Sequence, residues 1–174
     1  MNNPLFSILI AQYNNGHFFY DCYKSILEQT YTNWEVIVVD DASTDDSLKV
    51  IKDIIKDDSR FKLFTNDTNK GCGYTKRKCA ALATGEISGF LDPDDTLEPI
   101  ALEKMVEIHL NHPEVSIITS KYYLVDINLQ NKTICKNTTT VVDAGTGFTY
   151  YKWSNGTEGA TLQTATYGVG TYYV

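Results

Sequence analysis

The stretch WEVIVVDDASTDD, residues 34–46, changes character half-way along. Residues 34–40 are rich in β-branched and other apolar side chains and read as a buried strand. At Asp40 and Asp41 the apolar run stops on two carboxylates. TDDSLKVIKDIIKDD, residues 44–58, then repeats its apolar residues at helical spacing, with Leu48, Ile51, Ile54 and Ile55 inward. Ser43 or Thr44 is the expected N-cap, and Asp45 and Asp46 are expected in the first turn, where the helix dipole favours anions. A buried strand that ends on acids and leads straight into an amphipathic helix is half of a β-α-β unit.

The same alternation extends to both sides. LFSILIA (5–11) reads as a strand before it, followed by a helix over 17–29 with Phe19, Cys22, Tyr23, Ile26 and Leu27 on one face. After it come a strand at 61–65, a helix over 73–85 ending at Gly85 as C-cap, a strand at 86–92, a helix over 98–112 capped by Thr96, and a fifth strand at 115–119. The order predicts an α/β fold, a mostly parallel Rossmann-like sheet flanked by helices on both faces. In such sheets ligands bind beyond the carboxyl ends of the strands, where the strand order reverses. Tyr13, Asp40, Asp41 and Asp92 to Asp95 all fall there. From residue 137 the composition shifts to Thr, Gly and Tyr, with Asp143, Lys152 and Glu158 the only charges. The expected division is 1–136 as a ligand-binding domain and 137–174 as a short β-rich tail, with strands in FTYYKWSNG and VGTYYV.

The 174 residues suffice for one domain with a core, and the formal net charge of -7 argues against a nucleic-acid surface. No run approaches the roughly 20 apolar residues of a membrane span, and the N-terminal 15 residues lack the basic start of a secretory leader. Cys22, Cys72, Cys79 and Cys135 form no CxxC pair or zinc spacing, so they are read as reduced thiols of a cytoplasmic protein.

Four clusters carry possible chemistry. Asp92-Pro93-Asp94-Asp95 reads either as a turn and helix cap or as a pair of hard oxygen ligands for Mg²⁺ or Mn²⁺, to be completed by phosphate. The EF-hand spacing is absent. Asp40 and Asp41 either cap the next helix or accept hydrogen bonds from a base edge or ribose hydroxyl. Tyr13 is either a loop tyrosine or a stacking platform for a planar base. Lys76, Arg77 and Lys78 are either a solvated helix face or the cations that hold phosphate and balance the carboxylates. Neither a P-loop nor a GxGxxG follows a strand.

In this order, SILIAQYNN, SILEQTYTNWEVIVVDDASTDDS and NKGCGYTKRKCAALATGEISGFLDPDDTL resemble the family 2 glycosyltransferases of the GT-A fold, over about residues 4–136. The resemblance implies transfer of a sugar from a nucleoside-diphosphate donor, most often a UDP-sugar, to an acceptor hydroxyl of a glycan or a lipid-linked glycan, with inversion. It implies that Tyr13 and Asp41 flank the base, with Asn14, Asp40, Lys76 and Arg77 also on the nucleotide. Asp92 and Asp94 become a D-x-D pair for Mn²⁺ or Mg²⁺, Asp94 the more direct ligand and Asp92 shared with the nucleotide, while Asp95 faces the sugar. The implied place of work is the cytoplasm, at or near the inner face of the membrane as a peripheral protein.

The sequence departs from the family in three places. Ala11-Gln12-Tyr13-Asn14 stands where Pro-x-Tyr-Asn is usual, and Thr75 to Cys79 replace the usual Ala-Arg-Asn-x-Gly. No carboxylate after Asp126 fits the catalytic base that inverting transfer needs. The tail resembles instead the closing strands of a bacterial Ig-like or PKD-like module, so the acceptor half is expected to be missing or divergent. Two other readings follow: a nucleotide-sugar-binding module with little transfer, or a surface adhesion module led by the tail.

Overall fold

The computed structural model describes residues 3–118 in full, and the backbone of four short strands beyond them. The element order is β1 (Phe6–Gln12), α1 (Phe19–Leu27), β2 (Trp34–Asp40), α2 (Ser47–Ile55), β3 (Phe61–Thr65), α3 (Cys72–Leu82), β4 (Ile87–Phe90) and α4 (Ala101–Asn111). The short strands β5 (Tyr123–Leu124), β6 (Thr133–Ile134), β7 (Val141–Asp143) and β8 (Thr161–Gln163) follow. The chain divides into two compact units, Met1–Asn111 and His112–Val174.

In the first unit four parallel strands form one sheet in the order β3-β2-β1-β4. The chain runs outward from β1 through β2 to β3, then returns to the other side of β1 for β4. The order therefore reverses between β1 and β4, the place where parallel sheets of this kind bind ligands beyond their carboxyl ends. β2 is buried at all seven positions and β1 at six of seven, which is why both read as apolar on both faces. One face carries Ile8, Ile10, Val36 and Val38 against Phe19, Cys22 and Ile26 of α1, Ile51 and Ile55 of α2, and Leu102 and Val106 of α4. The other carries Leu9, Ile37 and Val39 against Cys79 and Leu82 of α3. Each fully buried Ile, Val or Phe contributes about 1.5–3 kcal/mol, so these two layers hold the strand tips in fixed relation.

Several boundaries differ from expectation. α2 starts at Ser47, with Asp46 as its N-cap residue, so Asp45 and Asp46 precede the helix rather than occupying its first turn. Asp45 Oδ1 accepts from the Ser47 amide at 3.0 Å, a task expected of Ser43 or Thr44, whose hydroxyls are engaged with neighbouring loops. α3 ends at Leu82 with an extended Ala83, not at Gly85. Gly85 is there for close approach: a Cβ would lie 2.4 Å from the Leu5 carbonyl oxygen. α4 begins at Ala101, five residues beyond Thr96, so Thr96 does not cap it. Leu27 is 41% exposed, and Ser25 takes the inward place instead. The strand expected at 115–119 is not formed in its described part, where residues 115–117 are irregular and Ile118 makes one bridge. In the second unit β5 pairs antiparallel with β6, and β7 with β8. The strands expected in 148–156 and 169–174, and Cys135, lie outside the described residues.

Candidate functional site

β1, β2 and β4 end side by side. Gln12 pairs with Asp40 across β1 and β2, and Leu9 with Phe90 across β1 and β4. With strands about 4.8 Å apart and about 3.3 Å of rise for each of the three residues between the Leu9 and Gln12 levels, the β2 and β4 tips lie roughly 14 Å from one another. The loops that leave these tips carry Tyr13–Asn14, Asp40–Asp41 and Asp92–Asp95. The same edge of the same sheet thus holds every residue singled out at these tips.

The Asp40–Asp41 pair divides between the two sides of the sheet. Asp40, 1% exposed, accepts from the Ser43 amide at 3.0 Å and from the Ser43 hydroxyl at 2.5 Å. Ser43 Oγ in turn accepts from the Asn14 amide at 2.9 Å, and Asn14 Oδ1 accepts from the Thr44 amide at 2.9 Å. Asn14 is therefore a staple between the loops after β1 and β2. Asn14 and Ala42 both sit in the left-handed region, at φ 52° and 59°. Asn adopts it readily; for Ala it costs about 1 kcal/mol or more. Strain of this kind, held in place by a bonded network, gathers at functional loops.

Asp41, also buried, points the other way. Its carboxylate accepts from Asn66 Nδ2 at 2.7 Å, the Lys70 amide at 2.9 Å and the Gly71 amide at 2.7 Å. Burial pushes this carboxyl up, but the bonds from Asn66, Lys70, Gly71 and Thr75 outweigh it and hold it below the usual range. Gly71, at φ 85°, lets the chain turn its amides onto Asp41 as α3 begins. Asp41 thus anchors the start of α3.

α3 links the two acidic clusters. Gly71 at its N-terminus binds Asp41, and Lys76, about 7.5 Å further along the axis, reaches the β4 loop. Lys76 Nζ lies 2.8 Å from Asp92 Oδ1 and 5.7 Å from the centre of the Phe90 ring. The Asp92 bond raises the Lys76 ammonium above its ordinary value. Lys78 donates to Asn66 Oδ1 at 2.7 Å and the Thr65 carbonyl at 3.0 Å, while Arg77 lies over the Tyr74 ring at 5.8 Å. The three basic residues of this run therefore have three separate partners, and only Lys76 meets the acidic turn.

That turn closes with the Asp95 amide donating to the Asp92 carbonyl at 3.0 Å. Asp92, Asp94 and Asp95 are exposed. Asp94 has no hydrogen bond or ion pair among the described residues. Partial burial and the charges of Asp94 and Asp92 push the Asp95 carboxyl up, against Lys76. Below the turn, burial with Asp95, Asp94 and Asp92 pushes the Cys22 thiol up to about 12, so it stays protonated. Cys22, Cys72 and Cys79 are free thiols.

Gln12 is the residue that sequence reading passed over. It is 1% exposed, and neither atom of its carboxamide has a partner among the described residues. The signal available was an amide at an inward position of a strand otherwise apolar on that face. Asp143 lies in β7, and the side chains of Asp126, Asp143 and Glu158, where a base was sought, lie outside the described residues.

The family model described as glycosyl transferase family 2 matches residues 7–166. The chain belongs to that family. The match runs on through most of the Thr- and Tyr-rich segment after residue 137. An Escherichia coli protein named UDP-Glc:alpha-D-GlcNAc-diphosphoundecaprenol beta-1,3-glucosyltransferase WfgD is 34% identical over 129 residues, 74% of this chain and 49% of its own. The chain thus spans about half the length of that relative. Among solved structures, Staphylococcus aureus TarS 1–349 in complex with UDP-GlcNAc superposes with a TM-score of 0.58 at 27% identity, covering 62% of this chain and 32% of that one. A Pyrobaculum calidifontis mannosyltransferase in complex with GDP-Man and Mn²⁺ gives 0.52 at 25% identity, over 55% and 29%. The family 2 chain shares with these neighbours an α/β, GT-A-like sheet flanked by helices. No helix among its described residues is long and apolar enough to cross a membrane.

Proposed function

We propose that this family 2 chain binds the donor in a metal-dependent glycosyltransferase, moving a sugar from a nucleoside diphosphate, UDP first among them, to a hydroxyl of a glycan or lipid-linked glycan with inversion. The observation that carries this reading is that two acidic strand tips, β2 and β4, end at one edge of the sheet on either side of the order reversal. Tyr13, 42% exposed at the tip of β1, offers its ring to a base. Asp41 shapes the base end by holding the Lys70 and Gly71 amides in place beside it. Asn14 and Asp40 hold the loop beneath, through Ser43 and Thr44. Lys76 serves the diphosphate, with Arg77 further out along α3, and Asp95 faces the sugar.

The residues present fit a hard divalent cation. Asp92 and Asp94 offer exposed carboxylate oxygens, and among the described residues no group of three or more His, Cys, Asp or Glu side chains is placed to hold a metal. One or two carboxylates with phosphate and water completing the shell is the habit of Mg²⁺ and Mn²⁺. When bound, such an ion neutralises charge on the departing diphosphate. Support comes from the neighbours whose names carry UDP-GlcNAc in one case and GDP-Man with Mn²⁺ in another.

A thermal-shift panel of UDP, GDP, CDP and dTDP with Mn²⁺ tests the donor class. UDP is expected to raise Tm more than the others. A panel in which no diphosphate moves Tm contradicts the reading.

A further inference from the structure

We propose that Lys76 is the resident cation of the acidic turn, and that it makes metal binding conditional on the diphosphate. This rests on the donor-site reading above and adds the order in which the charges come together. Lys76 Nζ is 2.8 Å from Asp92 Oδ1, and Asp92 is one of the two carboxylates that would hold the metal. The side chain stands in one direction, along Phe90, and is 32% exposed against 50% for Asp92. The two other basic residues of the run face elsewhere, Lys78 on Asn66 and Arg77 on Tyr74. The turn's charge is thus met by one cation from α3, which also fixes the base end through Gly71 and Asp41.

Two positive groups cannot share Asp92 without repulsion. A dication and an ammonium drawn to the same carboxylate pair at a protein surface oppose one another. A metal arriving alone would meet the Lys76 ammonium at the same carboxylate pair, with nothing anionic to offset their repulsion. A metal arriving with a diphosphate brings anionic oxygens that take up both. Lys76 then leaves Asp92 for phosphate, with no net loss of ion pairing. The consequence is a site that discriminates against free metal and gains affinity for metal and nucleotide together. No covalent step is involved.

The test is calorimetry on the full chain, with Mn²⁺ alone and with UDP in saturating Mn²⁺, on the parent, K76M and K76R. Removing the charge in K76M is expected to tighten Mn²⁺ alone by about tenfold and to weaken UDP by about tenfold, while K76R keeps both near the parent values. Opposite signs in the two titrations are the signature, because a merely structural role for Lys76 weakens both or neither. Shifts of the same sign, or no change in either, overturn the proposal. UDP failing to bind the parent protein contradicts the donor-site reading instead; the Mn²⁺ arm still decides whether Lys76 competes for Asp92.

Discussion

Ala42 is the residue whose backbone is most at odds with its side chain. At φ 59° its Cβ crowds its own peptide, and the conformation persists because Asp40 and Asn14 grip Ser43 on the next position. Glycine removes the crowding but enlarges the unfolded ensemble, and a β-branched residue makes the crowding worse. Urea midpoints should therefore fall in the order A42G at or above the parent, then the parent, then A42V, with the valine lower by about 1–2 kcal/mol. An unperturbed A42V would mean that the loop is not held as described. This strain was not legible in the sequence, where DDAST reads equally well as a plain capping run. Asp40 and Asp41 were legible as acids at a strand tip, but their opposite directions were not. Alternation along β2 places the one toward Ser43 and the other toward Asn66, and that follows only once the loop after the strand is built.

At the scale of elements, what the periodicity announced was largely formed. β2 and β3 keep the limits expected of them, β2 because a doubly buried strand has no freedom to slide. The helix ends moved by several residues, because caps depend on which side chains the loops have already engaged. Glu35 shows how the elements are joined at the far end of the sheet. It is 5% exposed at the start of β2, accepts from Ser7 of β1 at 2.7 Å and from Lys62 of β3 at 2.7 Å, and takes both Thr84 donors from the turn before β4. Burial pushes its carboxyl up, but the bonds from Lys62, Ser7 and Thr84 prevail and bring it down to about 2, from an ordinary 4.5. A carboxyl depressed in this way stabilises the fold above about pH 4.5, and its contribution, about 3 kcal/mol when complete, disappears as pH falls towards 2. Between pH 6 and pH 3 the parent protein should lose more Tm than E35Q, which starts lower but has no such carboxyl to protonate. Parallel curves would remove Glu35 from the acid sensitivity of the fold.

At the scale of the molecule, the account rests on one edge of one sheet. The first unit carries all of the residues assigned to the donor. The sequence motifs reached the site because strand tips in a parallel sheet bring distant acids together by topology alone. They did not reach the burial of Gln12, nor Gly71 and the pairing of Lys76 with Asp92, and the last two depend on how α3 lies across β1 and β2. The central claim is that the β2 and β4 tips grip one donor through a shared cation, and it is tested most directly by titrating UDP into the parent protein and D94A, each with Mn²⁺ and with chelator. The expected result is that the parent binds UDP at least tenfold more tightly with Mn²⁺ than without, and that D94A loses that difference. UDP binding that is equal with Mn²⁺ and chelator, and unchanged in D94A, would contradict it.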